Sequence, residues 1–202
     1  MNAIVFLGPS LDLDAARDIL PAEYRPPITR GDLDRLLARD HPPDAVGIVD
    51  GRFPHVLGVT PTEVLRALDA GVTVYGSSGV GALRAAECAP FGMVGVGAVF
   101  DAYASGRVEA DDEVAAAPGS DGRLIDWRLG LADGPAGAAR FLELAEQTYF
   151  AERTLDRVLV LLAAETGAEV AAHLGDLIRH KIPDAGRDDA IALLRVMAGD
   201  AG

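Results

Sequence analysis

The most regular feature of the chain is a set of short, unbroken apolar runs: Ala3–Leu7, Ala45–Val49 and Val72–Tyr75. Each ends at a turn signal, respectively Gly8-Pro9, Asp50-Gly51 and Gly76-Ser77. A run without apolar–polar alternation predicts a strand covered on both faces, as in a parallel sheet. Between the runs the apolar positions change to helical spacing, over Leu13–Leu20, Asp32–Arg39 and Thr62–Leu68. Thr60-Pro61 supplies an N-cap and a first-turn proline for the third of these helices, and Gly71 supplies its stop. Strands alternating with helices predict βα units and a parallel sheet.

Residues 80–104 continue as helix, interrupted at Pro90–Gly92. Residues 107–134 are rich in Gly, Asp and Ala without a clear period and read as a loop or hairpin. From Pro135 the pattern is helical, over Ala138–Ala151, Leu155–Ala164, Val170–Ile178 and Asp188–Met197. The fold class is therefore α/β: a short parallel sheet flanked by helices, with a mostly helical C-terminal region. An α/β core over residues 1–116, a loop or hairpin over 117–134, and C-terminal helices over 135–202 packing on that core are expected.

Composition sharpens this picture. Of 202 residues, 50% are hydrophobic but only 5% aromatic, so the core is built from many small side chains, which suits helices on a sheet. The net charge of −13 argues against nucleic acid and against an anionic membrane surface, both of which need clustered Lys and Arg. Cys88 is the single cysteine, which excludes an intrachain disulfide framework or a thiolate zinc site. The first residues lack the basic region of a signal peptide, and no apolar run approaches the roughly 20 residues of a membrane span. The cytoplasm is the expected location.

Candidate chemistry gathers at the carboxyl ends of the predicted strands, where open parallel sheets bind ligands. Those ends carry Ser10, Asp50 and the turn Gly76-Ser77-Ser78-Gly79. The last leads from strand to helix, so its backbone N–H groups favour an anion or oxyanion, and Ser77 or Ser78 is placed as a nucleophile. The glycine spacing is neither a dinucleotide fingerprint nor a P-loop, and such a turn also serves as a plain βα connection. Arg84 and Glu87, three apart on one helix, form a binding pair or an ordinary i,i+3 ion pair. Arg30 and Asp32 stand in the same relation, Asp32 being also a plausible helix N-cap. Asp111, Asp112 and Glu113 suit either Mg²⁺ or a solvated loop. The histidines are scattered without metal spacing, and neither a metal nor a cofactor is expected. Lys181, the only lysine, is either a buried general base for a serine or a surface cation at a helix end.

Taken together, several motifs resemble one family. They are Phe6–Leu11, Tyr24–Leu33, Ile48–Phe53, Thr62–Leu68, Gly81–Glu87, Phe91–Gly97 and Asp111–Ala115. In this order and spacing they resemble the TfuA-like proteins over roughly residues 4–116. The resemblance implies an accessory role beside YcaO enzymes, which activate a backbone amide with ATP so that sulfide can replace its oxygen. It implies a hydrolase-like protein that releases sulfide from a thiocarboxylated ubiquitin-like sulfur carrier, using a Ser–Lys pair, and that helps the YcaO enzyme hold its precursor peptide. Aligned on Gly76 and Gly81, the family serine falls on Gly79, with Ser77 and Ser78 beside it. Aligned on Arg187 and Asp189-Ala190, the family lysine falls on Gly186, five residues after Lys181.

Two functions from different classes follow. In one, Ser78 attacks an acyl group with Lys181 as base, the helix N-terminus beyond Gly79 holds the oxyanion, and Arg30 and Arg84 orient an anionic terminus. In the other, the same face is a non-catalytic adaptor for a YcaO enzyme and its peptide. A nucleotide-binding α/β domain is the third reading.

Overall fold

The computed structural model describes residues 1–51, 58–109, 111–114 and 124–200. His55 and the Arg52-Phe53 end of one motif lie outside these residues, as do Ala115 and residues 117–123 of the expected loop. The chain divides into two compact units, Met1–Glu109 with Ala185–Gly202, and Ala110–Asp184.

The first unit alternates strand and helix: β1 (Ala3–Leu7), α1 (Leu13–Ile19), β2 (Glu23–Arg25), α2 (Asp32–Leu37), β3 (Ala45–Val49), α3 (Pro61–Asp69), β4 (Thr73–Ser77), α4 (Gly79–Cys88), β5 (Val94–Gly95) and α5 (Ala98–Ala104). Among the described residues these strands form one five-stranded sheet, all parallel, in the order β2-β1-β3-β4-β5. β1 and β3, at its centre, are buried at every position, which is why their sequences read as continuous apolar runs. β2 and β5 are three- and two-residue edges with partly exposed side chains. They carry no apolar signature, and the sequence reading lacks them.

Side chains alternate across the sheet. Ile4, Phe6, Val46, Ile48 and Val74 face one core, against Leu33 and Leu36 of α2, Val64 of α3 and Ala85 of α4. Val5, Leu7, Val49 and Tyr75 face the other, against Ala16 of α1. That second core is completed by Leu193, Leu194 and Met197 of a helix far along the chain, α10 (Ala185–Asp200) in the numbering that follows. Thr60 caps α3 as expected: its side chain accepts from the Glu63 N–H, and Glu63 accepts from the Thr60 N–H at 2.9 Å. The buried Glu63 carboxylate also accepts from the Gly31 N–H. It thereby ties the start of α3 to the start of α2.

The second unit contains α6 (Leu124–Gly130), α7 (Ala138–Gln147), α8 (Leu155–Thr166) and α9 (Ala168–Lys181). Its core joins Trp127, Phe141, Leu155, Leu162 and Leu174, with the Trp127 and Phe141 rings edge to face at 5.3 Å. α6 occupies part of the stretch read from the sequence as loop or hairpin. Its buried residues are consecutive, Leu124 to Trp127, so it lacks the spaced stripe that marks an amphipathic helix. No helix among the described residues is long and apolar enough to cross a membrane.

Candidate active site

The strand order reverses between β1 and β3: the chain leaves β1 for β2 on one side and returns past it to β3 on the other. Connections diverge at such a point and leave a crevice at the carboxyl ends of the strands. Ser10 follows β1 through the Gly8-Pro9 turn, Asp50 directly follows β3, and Ser78 directly follows β4 one strand further on.

These three side chains form one buried cluster. The Ser78 hydroxyl donates to Asp50 Oδ1 at 2.7 Å. The Ser10 hydroxyl lies 2.9 Å from the same oxygen and 3.0 Å from Ser78 Oγ. The Ser10 N–H donates to Asp50 Oδ2 at 2.9 Å. Ser10 is 9% exposed, Asp50 3% and Ser78 not at all. A buried carboxylate is costly unless hydrogen-bonded, and here both of its oxygens are engaged.

The backbone is strained at the same place. Among the described residues, Asp50 at φ 64° and Ser78 at φ 51° are the non-glycine residues with positive φ. With ψ 153°, Ser78 occupies a region that is essentially glycine's, and a side chain there costs about 1–3 kcal/mol. A serine held on a strained strand-to-helix turn is how a nucleophilic hydroxyl is presented at a sheet edge.

Close packing explains the glycines. A Cβ on Gly79 would lie 2.8 Å from Asp50 Oδ1 and 3.0 Å from Asp50 Cα, and a Cβ on Gly8 would lie 2.5 Å from Asp50 Cβ. A Cβ on Gly81 would lie 2.2 Å from the Ile48 carbonyl, and one on Gly76 would lie 2.3 Å from the Gly81 carbonyl. Residues without side chains let the first turn of α4 press onto the end of β3, which puts the Asp50 carboxylate at the positive end of that helix.

The other sequence candidates lie elsewhere. Ser77, register-paired with Val49, is fully buried, and its hydroxyl has no partner among the described residues. Arg84 and Glu87 pair with each other on α4, and the buried Arg84 Nε has no hydrogen-bond partner among the described residues. Arg30 is exposed. Asp32 is the first residue of α2 rather than its cap, which is Gly31 at φ 84°. Its carboxylate accepts from the Thr29 N–H at 2.7 Å, the Thr29 hydroxyl at 2.8 Å and Arg35 at 2.6 Å. Burial pushes the Asp32 carboxyl up, but these three donors outweigh it and hold the group below its ordinary value. Phe6, Arg25, Pro26, Pro27, Thr29 and Asp32 line a groove of about 350 Å³ at the β1–β2 end of the sheet. Lys181 is exposed at the last turn of α9, in the second unit.

Asp112 is engaged by Arg153, buried at 3% exposure, whose guanidinium meets Asp112 Oδ2 at 2.6 Å, the Asp112 carbonyl at 3.1 Å and the Ala145 carbonyl at 2.8 Å. Among the described residues no three His, Cys, Asp or Glu side chains group so as to hold a metal ion.

Sequence reasoning missed Asp189. This buried residue of α10 accepts from the Ala98 and Val99 N–H groups, each at 2.8 Å, and so caps α5 from a distant part of the chain. The signal was indirect: Gly97, before α5, has no side chain with which to cap it.

The model of the family described as TfuA-like protein matches residues 50–154. That span covers more than half of the chain, so the chain belongs to the TfuA-like family. Membership supports a role in the YcaO-associated thioamidation system. No curated protein matches the chain.

Proposed function

We propose that, beside a YcaO enzyme, this TfuA-like protein hydrolyses the thiocarboxylated C-terminus of a ubiquitin-like sulfur carrier and so supplies sulfide for peptide thioamidation. The observation that carries this reading is the Ser78 hydroxyl, held on a strained turn and donating to Asp50 at 2.7 Å. A nucleophile and an adjacent proton acceptor are what acyl chemistry on a serine requires.

In the proposed reaction Ser78 Oγ bonds to the thioacid carbonyl carbon while its proton passes to Asp50. Collapse of the tetrahedral adduct breaks the C–S bond, and Asp50 returns the proton to the departing sulfur. Water then attacks the Ser78 ester with Asp50 again accepting a proton. The second collapse gives the carrier carboxylate and regenerates Ser78. Thioacid and water are consumed, and carboxylic acid and hydrogen sulfide are formed. N–H groups of the first turn of α4 face the developing oxyanion. Asp50 takes the part the sequence reading gave to Lys181, because its carboxylate lies within hydrogen-bond reach of Ser78. Ser78 is fully buried, so turnover depends on a partner that opens the site.

The test is sulfide release from a thiocarboxylated carrier in the presence of a YcaO enzyme and its precursor peptide. Wild type and Lys181→Ala should release sulfide, while Ser78→Ala and Asp50→Asn should lose at least a hundredfold. Release retained by Ser78→Ala refutes the assignment.

The full burial of Ser78 also favours a second reading, the adaptor. On that reading the cluster only shapes the face that binds the YcaO enzyme and its peptide. Thioamide formation would then survive Ser78→Ala, and wild type would release no sulfide.

A further inference from the structure

The cluster contains a second hydroxyl that the hydrolysis above does not use. Among the described residues, Ser10 Oγ has two acceptors within reach, Asp50 Oδ1 at 2.9 Å and Ser78 Oγ at 3.0 Å, and a hydroxyl carries one proton to share between them. Its N–H separately donates to Asp50 Oδ2 at 2.9 Å, which anchors the residue whichever way its hydroxyl turns. Resting on the proposed serine chemistry, we propose that Ser10 is a positioning residue that moves its hydroxyl hydrogen bond from Asp50 to Ser78 as Ser78 gives up its proton.

The charge balance motivates the switch. Before attack the negative charge is on Asp50, and both hydroxyls are within reach of its Oδ1. As the Ser78 proton crosses 2.7 Å to Asp50, Asp50 becomes neutral and negative charge develops on Ser78 Oγ. Rotation of the Ser10 hydroxyl about its C–O bond then aims the same O–H at the new charge, 3.0 Å away. No heavy atom has to move, because the backbone anchor and the close packing of Gly8 and Gly79 around Asp50 fix the three oxygens. A donor already in place where charge develops contributes more than one that must reorganise. Once the Ser78 oxygen bonds to carbon it loses its charge, and the Ser10 hydroxyl returns to Asp50 when the second collapse restores the resting state.

This assigns Ser10 a role distinct from holding the fold. If it only braced Asp50, its loss would lower stability and leave the turnover of folded protein unchanged. If it follows the charge, its loss lowers kcat with KM unaltered, and a residue with the same hydroxyl restores it.

Sulfide release is to be measured for wild type, Ser10→Ala, Ser10→Thr and Ser78→Ala. Each is to be assayed as full-length protein with carrier, YcaO enzyme and peptide, its folded fraction fixed by thermal melting. The expected result is a ten- to a hundredfold fall in kcat for Ser10→Ala at a KM within twofold of wild type, with Ser10→Thr restoring most of the rate. Release by wild type that depends on Ser78 but is unchanged in Ser10→Ala overturns this inference and leaves the hydrolase reading standing. A fall in Ser10→Ala that Ser10→Thr does not relieve overturns it too. No release by wild type sinks the hydrolase reading, and this inference with it.

Discussion

Replacing Gly79 with alanine tests how tightly the site is built. Two costs are expected. Gly79 sits at φ 43°, where a side chain costs about 1–2 kcal/mol. Its new Cβ would also lie 2.8 Å from Asp50 Oδ1 and 3.0 Å from Asp50 Cα. The second atom is backbone, so the overlap cannot be relieved by a rotamer change alone. Moving Asp50 stretches the bonds from Ser78 and Ser10, and one hydrogen bond to a charged group contributes about 1.5–3 kcal/mol. The sum is a loss of roughly 2.5–5 kcal/mol. Gly71 provides the control, because it has φ 84° and open space where a Cβ would stand. Gly71→Ala should therefore show the backbone cost alone, about 1–2 kcal/mol. Urea unfolding of both variants isolates the contact with Asp50 as their difference. A double-mutant cycle with Asp50→Ala should recover a coupling of at least about 1 kcal/mol. If Gly79→Ala and Gly71→Ala lose the same amount, Asp50 is not pinned as described and the packing argument fails.

Two further outcomes are expected. Asp189→Ala should cost about 1–2 kcal/mol, as a lost helix cap does, and should raise amide exchange at Ala98 and Val99 specifically; uniform exchange across α5 would contradict the cap. Burial, and then the hydrogen bond to Asp200, push the Tyr75 hydroxyl up to about 12, with the Tyr75 oxygen 2.7 Å from Asp200 Oδ2. A folded-state value above the unfolded one means stability present below pH 10 and lost as pH rises towards 12. The urea midpoint of wild type should thus fall over that window, and Tyr75→Phe should flatten the fall. An identical fall in Tyr75→Phe would contradict this.

Much of the sheet was legible because its central strands are covered on both faces, so the chain spells them as apolar runs. β2 was not, because Glu23, Tyr24 and Arg25 at an edge need no apolar pattern and join the sheet through backbone pairing with Ile4, Val5 and Phe6. At the site, Ser10, Asp50 and Ser78 were legible one by one, as polar residues at strand ends. Their mutual hydrogen bonds were not, because these depend on β1, β3 and β4 lying side by side, an order that no local stretch encodes. Asp189 was illegible for a related reason. It reads as one more acid on an amphipathic helix, and its value lies in N–H groups ninety residues upstream.

The placement of α10 has a consequence for how the protein is made. The strands of the first unit emerge from the ribosome early, yet one face of the sheet is covered by a helix that follows the entire second unit. Until Leu193, Leu194 and Met197 are synthesised, Val5, Leu7, Val49 and Tyr75 lack part of their apolar cover and α5 lacks its Asp189 cap. A nascent chain halted within the second unit would present a sticky half-finished sheet. The serine–aspartate cluster sits on that sheet, so its geometry is secured only after synthesis has passed α10, and chaperone engagement during translation should concentrate on the interval before it.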